Sequence, residues 1–170
     1  PSTQVFLDEL VYSARIPAIA CAMSSGHGDG MYWYAGRHSW NEGARNVSRE
    51  TVFDLASLTK VLTTHQWCLT LVSDGRLDLN APISTYLRGV SPWLAQCPVW
   101  RLSNHTSGLP AHVEFFNDRG AHVLEHENFA GEYLGVIDRI KSQSHAYSTG
   151  TDQRYSDLGY ILLAHICEIV

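Results

Sequence analysis

A serine three residues ahead of a lysine, Ser57 and Lys60 in "DLASLTKVLTT" (54–64), is a pairing that can activate a hydroxyl. Side chains three apart on a helix share a face, so the Ser57 hydroxyl and the Lys60 amine can meet within hydrogen-bond distance. A serine hydroxyl is a weak nucleophile until a base takes its proton, and a partly buried lysine whose pKa falls can be that base. In the first turn of a helix, free N–H groups and the positive dipole end also favour a developing oxyanion. The chain has only two lysines, Lys60 and Lys141, so a lysine entering an apolar run is not surface filler. The plain alternative is an N-cap serine followed by a lysine whose stem lies along the surface. A second group, Tyr155-Ser156-Asp157, places a phenol and a carboxylate on a loop leading into the last apolar segment, where they could face the Ser57 helix. A third, "HVLEH", sets His122 and His126 four apart with Glu125 between them, the spacing of two zinc ligands and a general base. Against that metal site, a third ligand is not evident at a typical offset, and nine histidines make such spacings easy to obtain. The competing reading is solvated histidines with a helix-face glutamate. His65 and His105 are expected to be packed or hydrogen-bonded rather than catalytic.

The elements that must position these groups follow from periodicity. Phe6, Leu7, Leu10, Val11 and Ala14 lie at helical spacing, which predicts an amphipathic helix ended by Pro17. "AIACAMS" (18–24) and "MYWYAG" (31–36) are short apolar runs joined by "SGHGDG", whose glycines permit the positive φ of a hairpin turn. From Ser57 to Ser73, Leu58, Val61, Leu62, His65, Cys68, Leu69 and Val72 recur at three and four, and Asp74-Gly75 supplies a stop. "DGRLDLNAPISTYL" reads as a turn, an extended piece and a proline-started helix, and "SNHTSGLP" as a polar loop. Leu158, Ile161, Leu162, His165, Ile166 and Ile169 form one stripe of a closing helix with no capping residue after it. An uncapped end predicts that these 170 residues are not the whole folding unit.

Composition removes several functional classes. Net charge is −5 and the basic residues form no stripe, so nucleic acid is not an expected partner. With 45% hydrophobic and 17% charged residues the chain is an ordinary globular one, and no run is long enough to span a bilayer. Cys21, Cys68, Cys97 and Cys167 lack CxxC spacing and are expected to be buried thiols rather than a disulfide frame or zinc site. The opening "PSTQVFLDEL" has no signal-peptide pattern, and both cytoplasm and periplasm remain open.

In order along the chain, the hairpin "AIACAMSSGHGDGMYWYAG", the tetrapeptide Ser57-Leu58-Thr59-Lys60, "SDGRLDLNAPISTYL", "NHTSGLP" and "YSDLGYILL" resemble the N-terminal part of the serine β-lactamase and penicillin-binding-protein-like superfamily, in its class C-like branch with DD-peptidases and esterases. The resemblance implies an α+β, β-lactamase/transpeptidase-like fold. Residues 1–53 would supply an N-terminal helix and the hairpin of an antiparallel sheet; 54–170 would form an all-helical lobe, with the C-terminal strands missing from this chain. It further implies that Ser57 is the acylated nucleophile, Lys60 its proton partner and Tyr155 the relay to the leaving group. The implied reaction is hydrolysis of an amide or ester carbonyl in a small molecule or peptide, with no metal or organic cofactor. Asp157 departs from the pattern, standing where many members carry Asn, and a carboxylate beside Lys60 would hold that lysine charged and shift the base role towards Tyr155. The family's third motif, on a strand after the helical lobe, has no counterpart here. A second chain or a missing C-terminal segment would have to supply it; without one, the alternative is a non-catalytic binding or regulatory domain.

Overall fold

The structure, a computed structural model, describes residues 2–24, 26, 30–115 and 129–170. It divides into two units, Pro1–Asp54 and Leu55–Val170, and each is described by itself. No helix among the described residues is long and apolar enough to cross a membrane.

The first unit is a helix laid on a hairpin. Helix α1 (Thr3–Ser13) starts at Ser2, whose side chain accepts from the Val5 N–H. Strands β1 (Ala18–Met23) and β2 (Met31–Gly36) pair antiparallel, from Ala18 opposite Gly36 to Met23 opposite Met31. This is the expected antiparallel pairing of the two apolar runs. Gln4 of α1 donates to the Tyr34 carbonyl at 3.0 Å, tying the helix to β2.

The second unit is helical, with its core around the last helix, α6 (Asp157–Ile169). The predicted Ser57–Ser73 helix forms, but with a change of pitch. Residues Lys60–Thr64 make a π-turn, in which His65 N–H reaches back five residues to the Lys60 carbonyl, and α2 (His65–Ser73) follows. The extra residue in that turn rotates the face that follows it. Cys68 and Leu71 are the buried positions of α2, whereas Leu58, Val61, Leu62 and Leu69 of the predicted stripe are exposed.

Two further expectations are corrected. The proline-started helix at 82 is a single 3₁₀ turn, Ile83–Thr85; Pro82 lies outside it in an extended conformation, and its backbone bridges to Pro98. Short helices α3 (Pro92–Ala95) and α4 (Trp100–Ser103) then lead to the "NHTSGLP" loop. Helix α5 (Phe129–Lys141), which periodicity did not predict, carries glycines at 131 and 135 that weaken its local signal. The stripe expected on α6 is wider than predicted: Leu158, Tyr160, Leu162, Leu163, Ile166 and Cys167 are buried, while Ile169 is exposed. Gly159 is buried too, since a Cβ there would stand 3.0 Å from the Leu102 carbonyl and push α4 away. All four cysteines are free thiols, three of them buried.

Candidate active site

Ser57 enters the helix behind a strained residue. Ala56 has φ +43°, a left-handed conformation that a non-glycine side chain resists, and the turn that it makes sets the direction from which Ser57 leaves the chain. From the π-turn one helical step on, Lys60 reaches back to Ser57, its Nζ donating to Oγ at 3.3 Å. The same Nζ donates to Asp157 Oδ1 at 2.6 Å, across 97 residues of sequence.

Tyr155 and Asp157 reach this point because of the residue between them. Ser156 is extended (φ −132°, ψ 120°), so its neighbours project to one side and its own side chain to the other. The Ser156 hydroxyl is buried, donates to the Pro110 carbonyl at 2.6 Å and caps α6 by accepting from Gly159 N–H at 3.3 Å. Lys60 Nζ lies 4.8 Å from the centre of the Tyr155 ring, and the phenol is near enough to Lys60 and Ser57 for both to act on its ionisation.

The loop 104–111 holds this segment by a zipper of hydrogen bonds. Ala146, Gly150, Arg154 and Asp157 N–H groups donate to the carbonyls of Gly108, Thr106, His105 and Ala111 at 2.8 to 3.0 Å. Side chains complete it: Tyr147 Oη donates to the His105 carbonyl and Thr149 Oγ1 to the Ser107 carbonyl. Gly108 has φ +95°, and a Cβ on it would lie 2.7 Å from the Tyr147 carbonyl, so the close approach requires glycine. The "HTSGLP" segment is therefore a packed scaffold for the Tyr-Ser-Asp segment.

The electrostatics follow from this geometry. Burial lowers the Lys60 pKa, but the hydrogen bonds to Asp157 and then Tyr155, with their negative charges, outweigh it and raise the pKa above 10.5. Hydrogen bonds with Lys60 and then Ser57 lower the Tyr155 phenol from its ordinary 10.0. The Lys60 hydrogen bond lowers Asp157 as well, against desolvation, and the position of Asp157 in the first turn of α6 suits a carboxylate. Lys60 is thus held as an ammonium and Tyr155 is biased towards phenolate.

The structure brings together Ser57, Lys60, Tyr155 and Asp157, all four expected from sequence. His122, Glu125 and His126 lie outside the described residues. Among the described residues, no three His, Cys, Asp or Glu side chains are placed to hold a metal ion. Two site residues were not foreseen. His112 Nδ1 stands 3.4 Å from Asp157 Oδ2, and His105 lies with its ring 4.5 Å from that of Tyr155. His105 is hydrogen-bonded, as expected, but its place against the phenol carried no sequence signal beyond its membership of the quoted loop. A cavity of about 390 Å³ opens beside Lys60 and Asp157, with Ala56, His112, Phe115 and Ile161 in its wall.

Comparison with known proteins gives a consistent picture. The sequence profile described as Beta-lactamase matches residues 6–170. The N-acetylmuramyl-L-alanine amidase of Bacillus subtilis (strain 168) is 32% identical over 149 residues, covering 81% of this chain and 32% of the amidase. The solved β-lactamase/D-alanine carboxypeptidase from Pseudomonas syringae superposes with a TM-score of 0.71 at 23% identity, covering 97% of this chain and 43% of that one. D-amino acid amidase from Ochrobactrum anthropi SV3, solved with L-phenylalanine, gives 0.73 at 25% identity, covering 96% and 44%. The chain spans about a third of the amidase and well under half of either solved structure.

Proposed function

The chain belongs to the β-lactamase family, and on that premise we propose that its site performs acyl transfer from an amide or ester carbonyl to Ser57, followed by hydrolysis. The observation that carries this is the single cluster in which Lys60 Nζ donates both to Ser57 Oγ and to Asp157. With Lys60 held as an ammonium, the base is the Tyr155 phenolate. It takes the Ser57 proton as Oγ attacks the carbonyl carbon, and Lys60 stabilises the negative charge that passes between the two oxygens. The resulting phenol returns the proton to the leaving nitrogen or oxygen as the carbon–heteroatom bond breaks. Water then repeats the sequence on the acyl-enzyme, with Tyr155 again the base. The Ser57 N–H supplies one oxyanion donor.

The substrate class we assign is a peptide ending in a D-amino acid, or a related small amide or ester, in preference to a β-lactam ring as a dedicated substrate. Support for an amide bond comes from the names of the relatives, an N-acetylmuramyl-L-alanine amidase, a β-lactamase/D-alanine carboxypeptidase and a D-amino acid amidase, and support for a D-amino acid from the last two. The third motif and the second oxyanion donor are assigned to polypeptide outside these residues, on the same protein or on a second chain. That assignment is supported by the greater length of the same relatives.

Intact-mass spectrometry before and after incubation with an acylating β-lactam tests the assignment of Ser57. An adduct that disappears in Ser57→Ala and forms far more slowly in Tyr155→Phe is the expected result. An adduct that persists in Ser57→Ala, or forms at the original rate in Tyr155→Phe, would sink the scheme.

A further inference from the structure

We propose that His105 is the positioning residue of Tyr155: from the opposite loop it holds the main chain on both sides of the phenol and lies against its ring, in its neutral form. This rests on the reading of Tyr155 as the proton carrier.

Three contacts make the case. The His105 carbonyl accepts from Arg154 N–H at 3.0 Å, one residue before Tyr155. Its Nδ1 accepts from Ser156 N–H at 3.1 Å, one residue after. Its ring lies 4.5 Å from the Tyr155 ring and 5.3 Å from the Tyr160 ring, tilted by 37° to each. One residue thus fixes the backbone at 154 and 156 and packs against one side of the ring at 155, which is otherwise open to solvent, so the direction in which the phenol leaves the chain is set from this loop.

His105 is itself held firmly. It has φ +64°, and such strain persists where the surroundings over-determine it. They do so here: its carbonyl also accepts from Tyr147 Oη at 2.8 Å, and Asn104 Oδ1 accepts from both the N–H and the hydroxyl of the following Thr106.

The contact to Ser156 fixes the tautomer. An Nδ1 that accepts a hydrogen bond has no proton, so the ring is neutral with its hydrogen on Nε2. The groups facing the ring are Lys60 from the π-turn, Asp157 and Tyr160 from α6, and Tyr155. Arg154 turns its guanidinium to Asp152 and the Tyr147 ring. Burial and then the Lys60 charge oppose protonation, outweighing the Asp157 carboxylate. Protonation would set an Nδ1–H against the Ser156 N–H, two donors in opposition, and release the segment that carries the phenol.

The test is a pH titration of the full chain labelled with [¹³Cζ]tyrosine. Tyr155→Phe assigns the Tyr155 resonance among the eight tyrosines. Two variants separate the roles. His105→Gly accepts the positive φ without strain but has neither acceptor nor ring, and His105→Asn tolerates the φ and presents an amide oxygen near the place of Nδ1. In the unaltered protein Tyr155 is expected to titrate below 10.0. In His105→Gly its midpoint is expected to rise to that ordinary value, and in His105→Asn to remain below it, with circular dichroism unchanged in both. Each unit of that rise removes about nine-tenths of the phenolate present at neutral pH, with an equal fall in the rate of Ser57 acylation. If Tyr155 titrates early in the unaltered protein and equally early in His105→Gly, the positioning role is overturned and the base assignment survives. A Tyr155 that titrates with the other tyrosines in the unaltered protein overturns the phenolate-base reading and the positioning role with it.

Discussion

Replacing Asp157 by asparagine removes a charge while keeping the shape and one acceptor oxygen, so it isolates the electrostatic grip on Lys60. At 2.6 Å two unit charges attract by about 1.6 kcal/mol with the dielectric of water and about 6 kcal/mol at an effective value of 20. The Lys60 side chain is 15% exposed but that of Asp157 is 41%, so solvent screening brings the pair towards the lower figure. A loss on the order of 1–2 kcal/mol corresponds to a fall of roughly one unit in the Lys60 pKa. With only Lys60 and Lys141 in the chain, [¹³Cε]lysine labelling gives two resonances, and Lys141→Arg assigns them. Asp157→Asn is expected to move the Lys60 midpoint down by about one unit. An unmoved midpoint would refute the claim that the carboxylate, rather than the general surroundings, keeps Lys60 charged. Stability follows with a definite sign. Lys60 is raised, so its contribution is full below 10.5 and is lost as pH rises through the folded value. Asp157 is depressed, so its contribution is present above 3.8 and is lost as pH falls through the folded value. The variant should therefore show a lower urea midpoint at pH 7 and the same midpoint as the parent in strong acid.

Other expectations concern the same lobe. The rate of Ser57 acylation should climb with pH through the depressed Tyr155 value, below 10.0, and fall again once Lys60 loses its proton above 10.5; a rate flat from pH 6 to 10 would contradict phenolate as the base. Gly108→Ala places a Cβ 2.7 Å from the Tyr147 carbonyl at a φ of +95°, and a destabilisation of about 1–3 kcal/mol is expected in chemical denaturation. Incubation with 1,10-phenanthroline should leave adduct formation unchanged; loss restored by zinc would instead favour His122, Glu125 and His126.

The sequence was most legible where chemistry and local geometry coincide. The hairpin was readable because three glycines sit between two apolar runs, and β1 and β2 pair as those runs suggest. Ser57 with Lys60 was readable because three-residue spacing brings both to one side of a helix, whereas Tyr155 with Asp157 was picked out by its place at a helix entrance and by the family resemblance. The π-turn at Lys60–Thr64 was not, since a hydrophobic repeat does not record one added residue in a turn, and the stripe predicted beyond it was therefore out of phase. His105 was quoted as part of a loop, but its role depends on a positive φ and on a segment some fifty residues away, and neither leaves a local pattern. Ser156, flanked by the two informative residues, turned out to be the one that aims them.

The ion pair between Lys60 and Asp157 spans 97 residues of chain. Closing a loop of that length costs about 4 kcal/mol in chain entropy before any contact within it offsets the loss. In kinetic terms the site is a high-contact-order feature, so the serine is expected to gain its base late in folding, after the zipper between loop 104–111 and the Tyr155 segment has formed. An unfolded or half-folded chain then carries an ordinary hydroxyl at position 57, and on the proposed mechanism reactivity towards acyl donors cannot precede the folding of this lobe.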